Sequence, residues 1–251
     1  MSGVVGPRLS TVPIFTNEYS MAFDGTNEYL QTADNDNLSF GNGTTDSAFS
    51  FSAWVKMSDS TRFRIFNKGS NFSTDYEYLL ATGADDKLDL NLYDKSTAGR
   101  IARRFNTALT SYEGTWIHIV ATYDGSSSSS GIKLYLNGSR VDDIDNNSGT
   151  YVAMENTTNK LFIGRTLETY SNGSIDEVAI FNTELSASDI TTMYNGGVPT
   201  DLSSLSPLSW WRMGDGDTWN GSTWTLTDNG SGSYDLNSVN MEEADRVLDT
   251  P

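Results

Sequence analysis

The sequence predicts an all-β fold, a two-sheet antiparallel jelly-roll sandwich carrying one short helix. Three observations predict it. Residues 18–195 hold about a dozen short runs rich in strand formers, several of which alternate apolar and polar positions as a half-buried strand does. Turn chemistry such as Asp24-Gly25 and Asn137-Gly138 recurs between these runs at hairpin spacing. A helical period surfaces once, just after Ser186.

In chain order, Met21, Phe23, Tyr29 and Leu30 bracket the Asp24-Gly25 turn and give the first hairpin. Asp34, Asn35, Asp36 and Asn37 form a polar loop, after which Leu38 and Phe40 restart the apolar pattern. Phe49, Phe51, Ala53 and Val55 fall on one face of a strand. Shorter strands follow around Ile65 and Phe66, and over residues 76–80. In residues 87–93, Leu88, Leu90 and Leu92 point inward while Asp89, Asn91 and Tyr93 point outward. Residues 114–125, GTWIHIVATYDG, contain the clearest strand of the chain. The serine run 126–130 reads as a mobile loop tip.

Residues 132–136 and 141–144 flank Asn137-Gly138 as a hairpin, and residues 161–163 make a further strand. Ile175, Val178, Ile180 and Phe181 then form a strand into which Asp176 and Glu177 are dropped. Ser186 with Asp189 is a capping box, and Ile190, Met193 and Tyr194 share one face of the helix it opens. Gly196 and Gly197 stop that helix. Further on, Leu208, Trp210, Trp211 and Met213 predict a strand beside residues 175–181, because paired tryptophans need a core.

The totals limit what such a fold can do. A net charge of −17 excludes nucleic acid and anionic membrane surfaces, which require basic protein surface. With no cysteine, neither a disulfide framework nor a thiolate metal site exists. No apolar run approaches the roughly 18 residues of a membrane span. Residues 1–17 lack the basic start and apolar core of a secretory signal, and Pro7 and Pro13 forbid a helix there. They predict an extended arm that cannot order alone in water. The arm is expected to lie on neighbouring chains and to bury Ile14 and Phe15 there.

Several of these segments resemble the laminin-G-like, concanavalin A-like lectin/glucanase sandwiches. Residues 173–186, GSIDEVAIFNTELS, are similar to the closing strand of that family, G-x-I-D-E-V-x-I-[FY]-N-x-x-L-S. Residues 21–29 resemble its opening LxFDGxxDY, and residues 114–125 its G-x-W-x-H-V-A-x-T-Y-D-G. The family also carries a tryptophan-rich segment before its first hairpin. Here WWRMGDGD and TDNGSG follow the helix instead, so residues 206–248 are expected to supply a permuted strand segment to a domain spanning 18–251.

That ending looks like structural proteins of marine phages. The resemblance implies a non-enzymatic virion protein, decorating a capsid or building an appendage or fibre and touching host-surface glycan. Its partners would be other virion proteins or copies of itself. The alternative is a free, extracellular bacterial lectin or carbohydrate-binding module. The family often keeps one structural calcium, which implies Asp24 and Asp176 as ligands here, with backbone carbonyls nearby.

No catalytic residues are expected. The family's glucanases place paired glutamates on one strand as E-x-D-x-x-E, about 5 Å apart, and that spacing does not occur. Glu242-Glu243 has the wrong period, and Asp215-Gly216-Asp217 lacks a strand. His118 is the one histidine, and its place between Ile117 and Ile119 predicts a structural role. The acidic cluster Asp142, Asp143 and Asp145 reads as a solvated loop. Sugar contact would use aromatic platforms, for which Tyr93, Trp219 and Trp224 are the candidates.

Overall fold

A computed structural model describes residues 15–70, 75–167 and 169–251. In chain order its strands begin with β1 (Ser20–Asp24), β2 (Tyr29–Thr32), β3 (Phe49–Met57), β4 (Arg64–Lys68), β5 (Tyr78–Thr82) and β6 (Lys87–Asp94). There follow β7 (Gly99–Ala108), β8 (Ile117–Tyr123), β9 (Ile132–Leu136), β10 (Ser139–Arg140), β11 (Ile144–Asp145) and β12 (Leu161–Ile163). The last six are β13 (Asn172–Phe181), β14 (Ser209–Trp211), β15 (Thr218–Trp219), β16 (Trp224–Leu226), β17 (Leu236–Val239) and β18 (Arg246–Val247). One α-helix, α1 (Ala187–Tyr194), stands between β13 and β14.

The strands form two antiparallel sheets. The first runs β10-β9-β8-β3-β13-β1-β18, with β14 also paired to β13. The second runs β11-β7-β6-β5-β4-β12-β2-β17-β16-β15. Apolar side chains of the two inner faces meet in one cluster, as a sandwich requires. At its centre the rings of Phe51 and Phe66, from opposite sheets, stack with centroids 4.7 Å apart. Tyr78 also points inward, and its hydroxyl donates to the Leu38 carbonyl at 2.9 Å.

Helix α1 covers the outer face of the first sheet. The Ser186 hydroxyl accepts from the Asp189 amide, and the Asp189 carboxylate accepts from the Ser186 amide at 3.1 Å, the reciprocal cap that the sequence predicts. Ile190 and Met193 seat the helix on Val120, Phe181 and Trp210 in a second apolar cluster. Among the described residues no helix is long and apolar enough to cross a membrane.

Residues after α1 are woven into both sheets. Trp211 lies opposite Val178 of β13, β17 pairs with β2, and β18 pairs with β1. Trp211 and Trp224 are fully buried, and their indole N–H groups donate to the carbonyls of Tyr234 and Glu242, each at 2.9 Å. The serine run is held in place, since Ser129 is buried and the Ser128 hydroxyl caps a short 3₁₀ turn.

The N-terminal expectation is corrected where it can be followed. Phe15 packs on its own domain: its ring lies 6.1 Å from Trp210, and the Arg212 guanidinium sits 4.4 Å above it. An indole on the outer sheet face and a nearby cation offer the ring a cation–π and stacking seat within the chain. Ile14 lies outside the described residues.

Candidate functional site

On the outer face of the second sheet, β4 to β7 enclose a groove of about 200 Å³. Cross-strand register explains its shape. One row across the strands reads Arg64, Ala81, Asp89, Arg104. The next reads Asn67, Leu79, Asn91, Ala102. At the far end Tyr93 lies opposite Arg100. Small and apolar side chains in mid-sheet leave a floor, and long ones around them raise walls. Leu79 and Ala81 sit in a small apolar cluster with Tyr76, against which Tyr93 packs. The rings of Tyr76 and Tyr93 meet edge to face at 5.6 Å. Asn146, just beyond β11, closes the wall beside Arg100.

Arg64 reaches this face through a β-bulge. Pairing of β4 with β5 slips between Arg64 and Phe66, so Ile65 and Phe66 both enter the core while Arg64 comes opposite Ala81. Such an extra residue re-aims the side chain that precedes it. Arg64 is only 8% exposed, and burial pulls its guanidinium down to about 10. Its Nη1 donates to the Thr82 carbonyl at 3.2 Å, while its Nε has no partner among the described residues. Arg100 donates through Nη2 to the carbonyl and side-chain oxygens of Asn146, at 2.7 and 3.2 Å, and its Nε is likewise unmet. Asp89 is the one carboxylate of the lining, and Arg104 grips both its oxygens at 2.6–3.1 Å.

Tyr93 is therefore the one sugar candidate from the sequence that this groove contains, half-buried and facing out as the alternation of β6 predicts. Trp224 is corrected: it is 1% exposed, lies in the main core and cannot act as a platform. Its Trp-Thr-Leu alternation places Trp224 and Leu226 on the inner face of β16, a strand the surrounding polar residues obscure. Trp219 keeps partial exposure on edge strand β15, with its ring 5.5 Å from Trp224 and far in sheet order from the groove. Arg64, Arg100, Leu79, Ala81 and Asn146 were not among the sequence candidates. Arg100-x-Ala102-x-Arg104 alternation was the readable signal for two walls.

Asp24 and Asp176 do not converge. Antiparallel register sets Asp24 opposite Asn172, four residues from Asp176, or about 13 Å along the strand. The Asp24 carboxylate accepts from the Thr26 amide at 2.7 Å and closes its own turn. Asp176 is fully buried, accepts from the Asn17 amide group at 2.8 Å, and its carboxyl is held well above its usual range by burial. The pair does not fit one calcium ion. Neighbouring Glu177 is pushed up to about 7 by burial and accepts from Trp210 Nε1 at 2.6 Å and Arg212 Nε at 3.1 Å. The bulge of β13 between Asp176 and Ala179 turns it toward these partners. Asp142, expected in solvent, is instead clamped by Arg103 and Arg140 and drawn down to about 2.

His118 is buried under α1. Its Nε2 lies 2.9 Å from the Ser52 hydroxyl, and its ring stacks on Trp54 at 4.8 Å. A serine and a histidine at that distance suggest a nucleophile and its base, yet Nδ1 has no partner to orient the ring. Burial lowers the imidazole to about 3, far below a working base. The adjacent cavity measures about 10 Å³, room for about one water.

A family model described as the concanavalin A-like lectin/glucanases superfamily (Laminin_G_3) matches residues 24–191. No curated protein matches the chain. Among solved structures, a protein of Bacteroides ovatus ATCC 8483 with a provisional carbohydrate-binding assignment aligns at TM-score 0.55 and 17% identity, over 88% of this chain and 58% of that one. This chain thus spans little more than half of that protein. Domain 4 of an extracellular arabinanase from Geobacillus stearothermophilus, in complex with arabinotriose, aligns at TM-score 0.45 and 16% identity, over 69% and 99%. Domains LG4-5 of the mouse laminin α1 chain align at TM-score 0.45 and 13% identity, over 69% and 44%.

Proposed function

The chain belongs to the concanavalin A-like lectin/glucanases superfamily, and from that premise we propose that it is a carbohydrate-binding module whose site is the groove over β4 to β7. One observation carries this reading. The groove sets a half-exposed tyrosine and an apolar floor beside planar amide and guanidinium groups fixed by the sheet. A pyranose has the matching surfaces, an apolar face of C–H groups and a rim of hydroxyls. At about 200 Å³ the groove is smaller than the roughly 300–1,000 Å³ of sites for drug-sized ligands, which suits one sugar ring at a time.

Cleavage is no part of this reading. Glycoside hydrolysis needs two carboxylates across the scissile bond. The groove lining holds Asp89 alone, already committed to Arg104. Glycan-array screening of the full chain, followed by calorimetry on any hit, tests the proposal. Tyr93→Ala should weaken binding about tenfold or more while leaving the fold intact, and Trp219→Ala should not change it. The reverse result would move the site to the β15 edge.

A second reading sets the same module in a phage particle as a capsid or appendage component. The charge of −17 and the absence of cysteine favour it over a secreted lectin. A mass-spectrometric inventory of purified particles tests this, since a free module should be absent from them.

A further inference from the structure

We infer that the groove is built for a sugar bearing an oxyanion, a uronate-type carboxylate above all, held between Arg64 and Arg100. The inference rests on the groove being the carbohydrate site. It starts from an imbalance of charge: the lining sets the guanidinium groups of Arg64, Arg100 and Arg104 against the single carboxylate of Asp89. Arg104 and Asp89 satisfy one another. Arg64 and Arg100 make no ion pair among the described residues, and each leaves its Nε buried and unmet.

That omission is telling in this chain, where 33 acidic residues face 16 basic ones. The other part-buried arginines are answered. Arg103 and Arg212 meet carboxylates, and Arg165 and Arg246 lie over aromatic rings. Burying a cation with unmet N–H groups is costly unless an acceptor arrives. An acceptor from outside would restore Arg64 to its ordinary basicity, which burial now depresses.

The geometry fits a ligand with two oxygens. Guanidinium groups recognise carboxylate and sulfate through paired N–H donors, and such charge-assisted bonds are the strong ones. Tyr93 stands near both arginines, whose charges act on its hydroxyl, so a ring lying on Tyr93 would carry its acidic substituent toward them. Asn91 remains for the neutral hydroxyls. The bulge at Ile65 lets Ile65 and Phe66 both enter the core, and the same slip brings Arg64 to this face.

Calorimetry on the full chain tests the inference with four probes: tri-galacturonate, its methyl ester, a sulfated carrageenan tetrasaccharide and cellotriose. Tri-galacturonate should bind at least about tenfold tighter than its ester and than cellotriose. Arg100→Gln should erase that preference with an unchanged melting temperature, and Arg64→Met should do the same if it folds. Preference for the sulfated probe over tri-galacturonate would keep the oxyanion and overturn the carboxylate. Equal binding of acid and ester, both weakened by Tyr93→Ala, overturns the oxyanion and leaves the carbohydrate site standing. If no probe binds at millimolar concentration and glycan arrays are also blank, both readings fall.

Discussion

Acid should reveal how deeply His118 is buried. Its imidazole is held at about 3 in the folded chain against an ordinary 6.5, and burial is the cause. Below pH 6.5 the unfolded chain takes up a proton that the folded chain refuses. Stability from this group is therefore complete above pH 6.5 and drains away as pH falls toward 3. Each pH unit in that window is worth about 1.4 kcal/mol, so the loss at pH 4 is about 3 kcal/mol. Glu28 and Glu177 act with the opposite sign. Both are raised to about 7 by burial, so the fold gains stability as pH falls through 7 toward 4.5.

A difference measurement isolates the histidine. The double variant Ser52→Ala/His118→Leu removes the titrating ring and also the hydroxyl it would otherwise leave unpaired. Urea unfolding of both proteins, followed by tryptophan fluorescence from pH 7 to pH 4, should show the gap between them shifting by about 3 kcal/mol in favour of the variant. Parallel curves across that range would refute the argument and place water or a proton acceptor beside the ring.

Three further outcomes are expected. Trp211→Ala should cost about 4 kcal/mol in urea titrations, from its cavity and the orphaned Tyr234 carbonyl, whereas Trp219→Ala at the half-exposed edge should cost under about 1 kcal/mol. Removing residues 206–251 should abolish cooperative thermal unfolding, because it strips β14, β17 and β18 from their partners; a chain with an unchanged melting temperature would contradict the pairing. EDTA should leave the melting temperature where it is, given the separation of Asp24 from Asp176, and a drop on chelation would place a stabilising ion elsewhere in the chain.

What the sequence revealed and what it withheld divide along the range of the causes. Alternation in residues 87–93 and the cap at Ser186 are local signals, and β6 and α1 follow them closely. Trp224 misled because its context of Gly, Ser, Asn and Thr looks like a loop, while its burial depends on pairing with β17, twelve residues further on. Asp176 and Glu177 read as charged residues among strand formers; that both are buried follows from the bulge of β13 and from Trp210 and Arg212, which no local pattern announces. The groove was the least legible feature. Tyr93 was visible from parity alone, but Arg64 belongs to that face only after a register slip, and its unanswered charge is a property of the assembled sheet.

The slip in β4 makes the groove sensitive to length before composition. Inserting one residue in β5 between Leu80 and Ala81 would change no residue of the lining, yet it would give Ile65 a partner, straighten the strand and exchange the faces of everything before Ile65. Phe63, now in the core, would swing outward, and Arg64 would be driven between the sheets, where it has no counter-charge. Relatives that differ in this groove should then differ first by insertions and deletions inside one strand, a place where alignment programs are reluctant to put a gap. Ligand preference in such folds can drift by counting residues, with every side chain of the site left as it was.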